Sequence, residues 1–185
     1  MAFVVDASVT LPWFLVDERT AFTDTAFELL ETEECWVPYL WRLEFPNALL
    51  FAERKRRVGR EQRLEILDNA AQLFLRTDHS IPDIRSLSGL AERRGITVYD
   101  ASYLELALRS NFDLITLDRV EAGETVTITR RGKAVAKLVP AAVDEAERAR
   151  RRALIDEIKR KRAGWDKGAK PGSTIPELIK AGRRY

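Results

Sequence analysis

The chain has 185 residues, of which 45% are hydrophobic and 32% are charged. This length holds one ordinary domain plus a short appended module, and this balance of residues excludes a disordered or collagen-like chain. The net charge of +2 conceals an uneven distribution, because residues 1–118 contain 13 basic and 20 acidic residues and residues 119–185 contain 18 and 9. The opposed charges predict either that the two parts attract each other or that the basic part binds a polyanion.

No apolar run approaches the roughly 18 to 20 residues that span a bilayer, and no basic leader region precedes Asp6. We therefore expect a cytoplasmic protein without membrane contact. A single cysteine, Cys35, has no internal disulfide partner and is expected to be a small buried hydrophobic residue.

Short apolar runs and helical patterns alternate along the first 118 residues. Strands are predicted at 3–5, 36–37, 96–98 and 114–117. Helices are predicted over 20–30, 39–55, 59–75, 84–94 and 100–110, with Gly95 as a C-terminal stop. This alternation predicts an α/β fold, an open parallel sheet with helices on both faces.

Helical spacing also predicts which side chains face the core. In the helix over 39–55 these are Leu43, Leu50 and Phe51, and in the helix over 59–75 they are Leu64, Leu67, Ala71 and Phe74. Pro46 either kinks the first of these helices or marks its first turn. Trp13 and Phe14 are expected in the core or on a docking surface, and the basic cluster at 54–57 is expected to be a solvated face or an RNA contact.

The last third of the chain has a different character. Residues 124–130 and 134–139 read as the two strands of a β-hairpin, followed by a charged helix over 143–162 and a short amphipathic helix over 175–181. The charged helix has too few apolar positions to fold alone. Residues 141–185 are therefore expected to order only against a partner surface.

Acidic residues fall at positions where a parallel sheet places its ligands, at or just past the carboxyl ends of strands. Asp6 and Asp118 follow apolar runs, Asp100 opens the helix after 96–98, and Glu44 lies inside the next helix along from 36–37. An all-oxygen ligand set suits Mg²⁺ or Mn²⁺, and such an ion supports hydrolysis of phosphodiesters. Four converging carboxylates therefore predict a metal-assisted nuclease site.

Each of these residues also has a structural reading. Asp100 is a possible helix cap, Asp118 a turn residue and Glu44 a solvated helix acid. Ser8 and Thr116 are expected to support the carboxylates, although hydroxyls near strand ends are commonly structural. The only histidine, His79, is expected at the surface, so no Ser-His-Asp arrangement is predicted.

The first 119 residues resemble a PIN-domain ribonuclease of the VapC toxin kind, on the segments FVVDAS, WRLEFPNAL, VYDASYLELALR and LITLDR. The resemblance implies a Mg²⁺-dependent endoribonuclease of a toxin–antitoxin system. It also implies catalytic acids at Asp6, Glu44, Asp100 and Asp118, of which Asp6, Asp100 and Asp118 bind the metal.

The segment RVEAGETVTITRRGKAVAKLVP is similar to the hairpin of Phd/YefM-type antitoxins, and PGSTIPELIKAGRRY is similar to their toxin-binding end. We therefore divide the chain into a PIN-like nuclease domain at 1–118 that lacks its last helix and edge strand, an antitoxin-like hairpin at 119–140 and an antitoxin-like tail at 141–185. The triplet Leu117-Asp118-Arg119 suits both families, so the join of this chimera falls within it.

Two functions remain open from the sequence, beside a third possibility: a degenerate fusion without stable activity, because the missing edge strand exposes a sheet edge that has to be covered. In the first, an RNA-cleaving enzyme is restrained by its own tail, acting in cis or on a second copy in a dimer, or by a separate antitoxin chain. Inhibition then comes from Arg183 and Arg184, which are otherwise a disordered basic terminus, and from apolar anchors at Trp165, Ile175, Leu178 and Ile179. In the second, an inactive PIN scaffold serves as an interaction or DNA-binding regulator, although the missing antitoxin helices argue against operator DNA for this chain alone.

Overall fold

A computed structural model describes residues 2–117, 129–130, 133–134, 145–165 and 174–182 of the chain. Its centre is a parallel sheet of four strands in the order β3-β2-β1-β4. The strands are β1 (Ala2–Val5), β2 (Glu34–Pro38), β3 (Leu75–Asp78) and β4 (Asp113–Ile115). Val4 of the central strand is in register with Trp36 on one side and with Leu114 on the other. The predicted parallel α/β fold is confirmed.

Helices connect the strands and pack around the sheet. In the part that contains the parallel sheet they are α1 (Ala7–Thr10), α2 (Ala21–Glu28), α3 (Trp41–Arg54), α4 (Arg60–Gln72), α5 (Ile84–Arg94) and α6 (Val98–Ser110). Short 3-10 turns follow α1 at Leu11–Trp13 and α2 at Leu29–Glu31, and a third lies at Val16–Glu18. Helix α6 contacts β1, β2 and β4, and α3 contacts β2.

The central strand is covered on both faces. Phe3 and Val5 point to one side of the sheet and Val4 to the other, and all three are buried. Cys35 on β2 is also buried, as predicted, and this burial raises the pKa of its thiol well above the usual value. The core therefore lies on both sides of β1. Asp6, the residue after the carboxyl end of β1, is buried as well.

The prediction of a strand at 96–98 is wrong, because these residues lead into α6, which begins at Val98. Gly95 adopts a left-handed conformation (φ +63°) that ends α5, and Thr97 caps α6. The Thr97 hydroxyl accepts a hydrogen bond from the Asp100 backbone N–H at 3.1 Å, and the Thr97 backbone N–H donates one to Asp100 Oδ2 at 3.3 Å. This reciprocal capping box satisfies backbone groups that a strand would have paired elsewhere.

The third strand of the sheet is instead β3, which begins where a helix was predicted to continue. Helix α4 ends at Gln72, and Leu73 is already extended (φ −61°, ψ 141°). The inward face of α4 also differs from the predicted one, because Ile66 and Ala70 are buried whereas Leu64 is 44% exposed. Leu67, also predicted to face the core, does pack against it, so the predicted face of α4 is right only in part.

Helix α3 buries one continuous face of Trp41, Phe45, Ala48, Leu49 and Ala52. These residues recur at the three- and four-residue spacing of a helix side. Pro46 lies inside the helix. Leu43, predicted to face the core, is 57% exposed because it lies on the opposite side of the helix, in the lining of a cavity that Glu44 also lines.

The basic cluster at 54–57 is only partly solvated. Arg54, Lys55 and Arg56 are exposed, as expected, but Arg57 is buried. Its guanidinium pairs with Asp17 at 2.8 Å and with Glu18 at 2.9 Å, and these pairs fasten the end of α3 to the 3-10 turn that contains both acids.

After the sheet, the described residues form two more strands and two more helices. The strands β5 (Thr129–Arg130) and β6 (Lys133–Ala134) pair in the antiparallel sense, which agrees with the predicted hairpin; its other residues lie outside the described part. The helices are α7 (Glu145–Trp165) and α8 (Ile175–Gly182). No helix in the described part of the chain is long and apolar enough to cross a membrane.

Both late helices pack against the parallel-sheet part instead of standing apart from it. Their buried aliphatic side chains belong to the same core cluster as those of the sheet: Ile155, Ile158, Ile175, Leu178 and Ile179. The charged helix predicted over 143–162 and the amphipathic helix predicted over 175–181 are therefore present, and their apolar faces are covered by the rest of the chain.

Two buried arginines fasten α7. Arg151 donates to the Glu33 carbonyl at 2.9 Å, and Arg162 donates to the Trp13 carbonyl at 3.0 Å and lies over the Phe27 ring. Burial lowers the pKa of Arg162 from its ordinary value. These contacts use backbone carbonyls of short 3-10 turns and loops, which helices and strands leave unpaired.

Candidate active site

Asp6 is a buried carboxylate at the carboxyl end of β1. Its backbone N–H donates to the Ile115 carbonyl of β4 at 3.0 Å, which continues the sheet ladder by one residue. The side chain then accepts hydrogen bonds from the Ser8 N–H at 3.0 Å and from the Thr116 hydroxyl at 3.1 Å. Asp6 caps α1 in this way, yet its 2% exposure and its second donor, from Thr116 just past β4, exceed what a cap needs.

The two residues predicted to support the carboxylates do lie beside Asp6. Ser8 Oγ is 3.5 Å from Thr116 Oγ1 and accepts a hydrogen bond from the Leu117 N–H at 3.0 Å. The segment after β4 is thereby tied to the segment after β1. These two donors hold the Asp6 carboxylate in one orientation.

Glu44 is the second buried acid, with 6% exposure, in the first turn of α3. The Tyr103 hydroxyl, itself fully buried on α6, donates to Glu44 Oε2 at 2.6 Å. The Trp41 indole N–H donates to the Thr10 hydroxyl at 2.9 Å and joins α3 to α1, the helix that Asp6 caps. The Glu44 side chain is thus fixed by Tyr103 of α6, and its helix α3 is joined to α1 through the bond from Trp41 to Thr10.

Asp100 occupies the third position of α6 and takes part in the capping box with Thr97. Asp100 therefore does act as part of a helix cap, which is the structural role expected as the alternative to metal binding. Tyr103, the donor to Glu44, lies one helical turn further along the same helix, so α6 places Asp100 and the Glu44 contact close together along its axis.

Tyr103 was not predicted as a site residue. The spacing of Tyr99, Asp100 and Tyr103 in VYDASYLEL puts two tyrosines on one helix side, which is a signal that sequence reading could have used. However, a tyrosine on a helix is equally well explained as a core residue. The sequence of α6 does not show that Glu44 lies opposite Tyr103.

Three of the predicted residues lie outside the described part of the chain: Asp118, Arg183 and Arg184. Within the described ranges, no three histidine, cysteine, aspartate or glutamate side chains gather into a group that could hold a metal ion. Asp6, Glu44 and Asp100 therefore do not make a metal site by themselves, and the set predicted from the sequence needs Asp118.

The chemistry of these donors fits a hard cation. Carboxylate oxygens are ligands that Mg²⁺ prefers, and Mg²⁺ commonly takes only one or two protein carboxylates and fills its other positions with water and substrate phosphate. Asp6 offers a carboxylate that a backbone N–H and a hydroxyl hold in one orientation. Its oxygens are of the kind that hard cations prefer.

The predicted tail anchors all contact the parallel-sheet part. Helix α8 packs against α3 and α1, the helices that carry Glu44 and follow Asp6, and it buries Ile175, Leu178 and Ile179. Trp165 is half-buried at the end of α7, where its indole N–H donates to Glu65 at 3.0 Å and its ring lies 6.3 Å from that of Phe14. His79 is exposed, as predicted, while Trp13 and Phe14 are core residues.

The fold and the site define a class of α/β protein. In this class an open parallel sheet carries buried acids beside the carboxyl end of a central strand. A family model, the PIN domain, matches residues 3–121. The chain therefore belongs to the PIN domain family.

Two known proteins from Pyrobaculum aerophilum are similar to the chain. Ribonuclease VapC3 is 29% identical over 121 residues, which make up 64% of this chain and 91% of the relative. The crystal structure of PAE2754 shares 28% identity and has a TM-score of 0.49, with 65% of this chain and 76% of that chain covered.

Proposed function

We propose that the chain is a Mg²⁺- or Mn²⁺-dependent endoribonuclease, the toxin of a toxin–antitoxin system, and that an antitoxin-like tail of the Phd/YefM kind restrains it. Membership of the PIN family and the similarity to a protein named a ribonuclease support the enzyme class. The observation that carries the proposal is the buried Asp6 carboxylate, held at the carboxyl end of β1 by donors from two different strand ends.

In this proposal Asp6, Asp100 and Asp118 hold the metal, and Glu44 is the fourth catalytic acid. The bound ion supplies activation of water and stabilisation of charge on the phosphate. Ser8 and Thr116 fix the orientation of Asp6, so the carboxylate does not have to reorganise when RNA binds. The Tyr103 hydroxyl fixes Glu44 in the same manner from α6.

The restraint by the tail is supported by where α8 lies. It packs on α3 and α1, and Ile179 lines a cavity that Glu44 also lines. Helix α8 ends at Gly182, so Arg183 and Arg184 come next in the chain. We propose that these guanidinium groups reach the acidic site and compete with the metal or with RNA phosphate.

Attachment to the same chain makes this competition effective without tight intrinsic binding. A short flexible linker gives an effective concentration of roughly millimolar. The tail acts in cis in the described arrangement, and exchange between two copies would place the same helix on the partner of a homodimer. A separate antitoxin chain that displaces α8 would use the same surface.

The metal site is tested by Asp6→Asn. Asparagine retains an acceptor for Ser8 or Thr116 but lacks the charge, so we expect cleavage of single-stranded RNA in Mg²⁺ to fall by at least about 100-fold. The matched control is Asp83→Asn, because Asp83 also caps a helix, α5, and accepts from the Ser86 N–H at 2.9 Å at an exposed position. Asparagine caps as well as aspartate does. Equal cleavage by the two variants would remove Asp6 from the site.

A further inference from the structure

Four exposed cations lie at the corner where α3 ends and α4 begins: Arg54, Lys55, Arg56 and Arg60. We call this set the basic corner. Among the residues that the structure describes, none of the four forms an ion pair with an acid, and Glu53 at the same helix end is paired with Arg63 instead. The basic corner therefore carries positive charge that the fold does not neutralise.

Arg56 has a backbone conformation that arginine rarely adopts. Its φ of +58° lies in the left-handed region, where glycine fits without strain and asparagine is tolerated. Helices α5 and α6 end with the same turn as α3, in which the left-handed N–H donates to the carbonyl three residues before it and the next N–H donates to the carbonyl five residues before it. The left-handed residue is Gly95 in α5 and Asn111 in α6. Arginine occupies this position in α3 at a cost in stability, and a strained residue of this kind points to a use for its side chain.

Arg60 also occupies a position that the local structure does not favour. It is the first residue of α4, after the N-cap Gly59. The positive end of the helix dipole lies there, so an acid is stabilising at this position and a cation is not. Arg54 and Lys55 are different, because the negative end of the α3 dipole stabilises them. Helix electrostatics thus explain two of the four cations and leave Arg56 and Arg60 without a structural reason.

The turn that carries Arg56 is fastened from the inside of the molecule. The next two residues, Arg57 and Val58, are both buried. The Arg57 guanidinium pairs with Asp17 at 2.8 Å and with Glu18 at 2.9 Å. Arg56 therefore extends into solvent from a fixed backbone, so its binding to a ligand does not require the turn to be ordered first.

We propose that the basic corner binds phosphates of a single-stranded RNA whose cleaved part lies at the acidic site. The inference rests on the proposed ribonuclease function and adds a second contact for the substrate, away from the acids. Glu44 and Arg54 lie ten residues apart on α3, which is about 15 Å along the helix axis. A strand of a few nucleotides covers this span. Contacts to phosphates supply affinity and hold the strand in register without reading its sequence.

The composition of the basic corner favours a nucleic acid over a protein partner. Three of its four side chains are arginines, whose guanidinium groups match the geometry of a phosphate. A protein partner would need apolar contact area at the centre of its interface. Within residues 54–60 the one apolar side chain, Val58, is buried. The basic corner thus offers charge without an apolar anchor.

The four cations are exposed while α8 is docked on α3, and the restraint proposed for the tail acts at the acidic site. The basic corner is therefore open in the intact chain. Binding is measured on the full chain without divalent metal, so that no cleavage interferes. The probe is a labelled oligouridine of about twelve nucleotides, and a polyglutamate peptide of similar length represents an acidic protein partner. Dissociation constants are recorded over a range of salt concentrations.

We expect Arg56→Asn to weaken oligouridine binding by about five-fold at low salt and to reduce the salt dependence, the slope of log K against log salt, by about 0.7, the value for one phosphate contact of a single strand. Arg60→Gln should act in the same way, and Arg56→Lys should retain most of the binding because it keeps the charge. Asparagine suits the left-handed turn, so Arg56→Asn should also raise the midpoint of denaturation, which separates weaker binding from loss of folding. The control is Arg94→Asn, which removes an exposed positive charge from the end of α5.

Unchanged affinity and slope in Arg56→Asn, or an equal loss in Arg94→Asn, would overturn the RNA contact and leave the basic corner as a solvated helix end. Polyglutamate that binds as tightly as oligouridine and loses affinity in Arg56→Asn would overturn it in favour of an acidic protein partner. Failure of the enzyme class is a separate result. Binding that depends on the basic corner without any Mg²⁺-dependent cleavage rejects the nuclease, whereas cleavage by a chain whose RNA binding ignores Arg56 and Arg60 rejects only the basic corner.

Discussion

Asp6 and Glu44 are buried acids held by unlike partners. Asp6 takes its hydrogen bonds from a backbone N–H and a threonine hydroxyl, and Glu44 takes a short one from a buried tyrosine. Burying a carboxylate is costly unless donors replace the lost water. These donors therefore stabilise the folded chain as well as orient the acids.

Tyr103→Phe tests this at the Glu44 contact. The substitution keeps the ring and removes the hydroxyl, which leaves a buried carboxylate oxygen without this donor. We expect the free energy of unfolding to fall by about 1–3 kcal/mol in a denaturant titration. Tyr39→Phe is the control, since Tyr39 is 53% exposed, and an equal effect of the two changes would contradict the account.

Asp24 makes the stability of the folded chain depend on pH, mainly through Arg19 beside it. The hydrogen bond from Arg19 holds the pKa of Asp24 below its ordinary value of 3.8, and the charge of Arg162 on α7 acts in the same direction. A lowered pKa in the folded state means that this stabilisation is complete above pH 3.8 and is lost as the pH falls through the folded value.

We therefore expect wild type to be more stable than Asp24→Asn at pH 7, and the difference to shrink as the pH is lowered below 3.8. The measurement is the free energy of unfolding of both chains between pH 7 and pH 2.5. A difference that stays constant over this range would show that the carboxylate charge of Asp24 does not contribute.

At the scale of the elements, the sequence predicted a helix or strand correctly where the local residue pattern alone determines it. The apolar run of β1 and the Gly95 stop after α5 were predicted and are present. The prediction failed at residues 96–98, where β-favouring residues lead into α6 and the capping box of Thr97 with Asp100 starts the helix at Val98. It also failed at β3, because Leu75–Asp78 has only a mixed pattern and is a strand owing to its pairing with β2.

The candidate site was predicted only in part for the same reason. Asp6, Ser8 and Thr116 follow strand ends, and their proximity comes from the parallel pairing of β1 with β4. The Tyr103 contact joins residues 59 positions apart on two helices, so no local pattern contains it.

Arg162→Ala tests how α7 is held. Its side chain is 3% exposed and donates to the Trp13 carbonyl, so its loss leaves a buried acceptor unpaired. We expect a loss of about 1–3 kcal/mol in the free energy of unfolding. Arg152→Ala should change it by no more than about 0.5 kcal/mol, because Arg152 is 69% exposed beside Glu31. Equal losses would mean that burial of the guanidinium contributes nothing.

For the whole molecule, the late helices complete the core of the domain that they are proposed to inhibit. Ile155 and Ile158 of α7 are buried in the same cluster as β1, so removal of residues 141–185 would expose the core. An activity assay on such a truncated chain could not separate loss of inhibition from loss of folding. Release of α8 alone is the cleaner change, because it leaves α7 in place.

Leu178→Asp releases α8 selectively. Full burial of a leucine contributes about 1.5–3 kcal/mol, and a buried aspartate adds a further penalty. Leu178 is 1% exposed, whereas Lys180 on the same helix is exposed and provides the control Lys180→Asp. Unchanged circular dichroism will show that the rest of the domain remains folded.

The most direct test is the rate of single-stranded RNA cleavage in Mg²⁺ by wild type, Leu178→Asp, Lys180→Asp, and Leu178→Asp combined with Asp6→Asn. We predict that Leu178→Asp cleaves at least about ten-fold faster than wild type and Lys180→Asp, and that Asp6→Asn abolishes the gain. A folded Leu178→Asp chain that cleaves no faster would contradict restraint by the tail, and a gain that survives Asp6→Asn would contradict the acidic site itself.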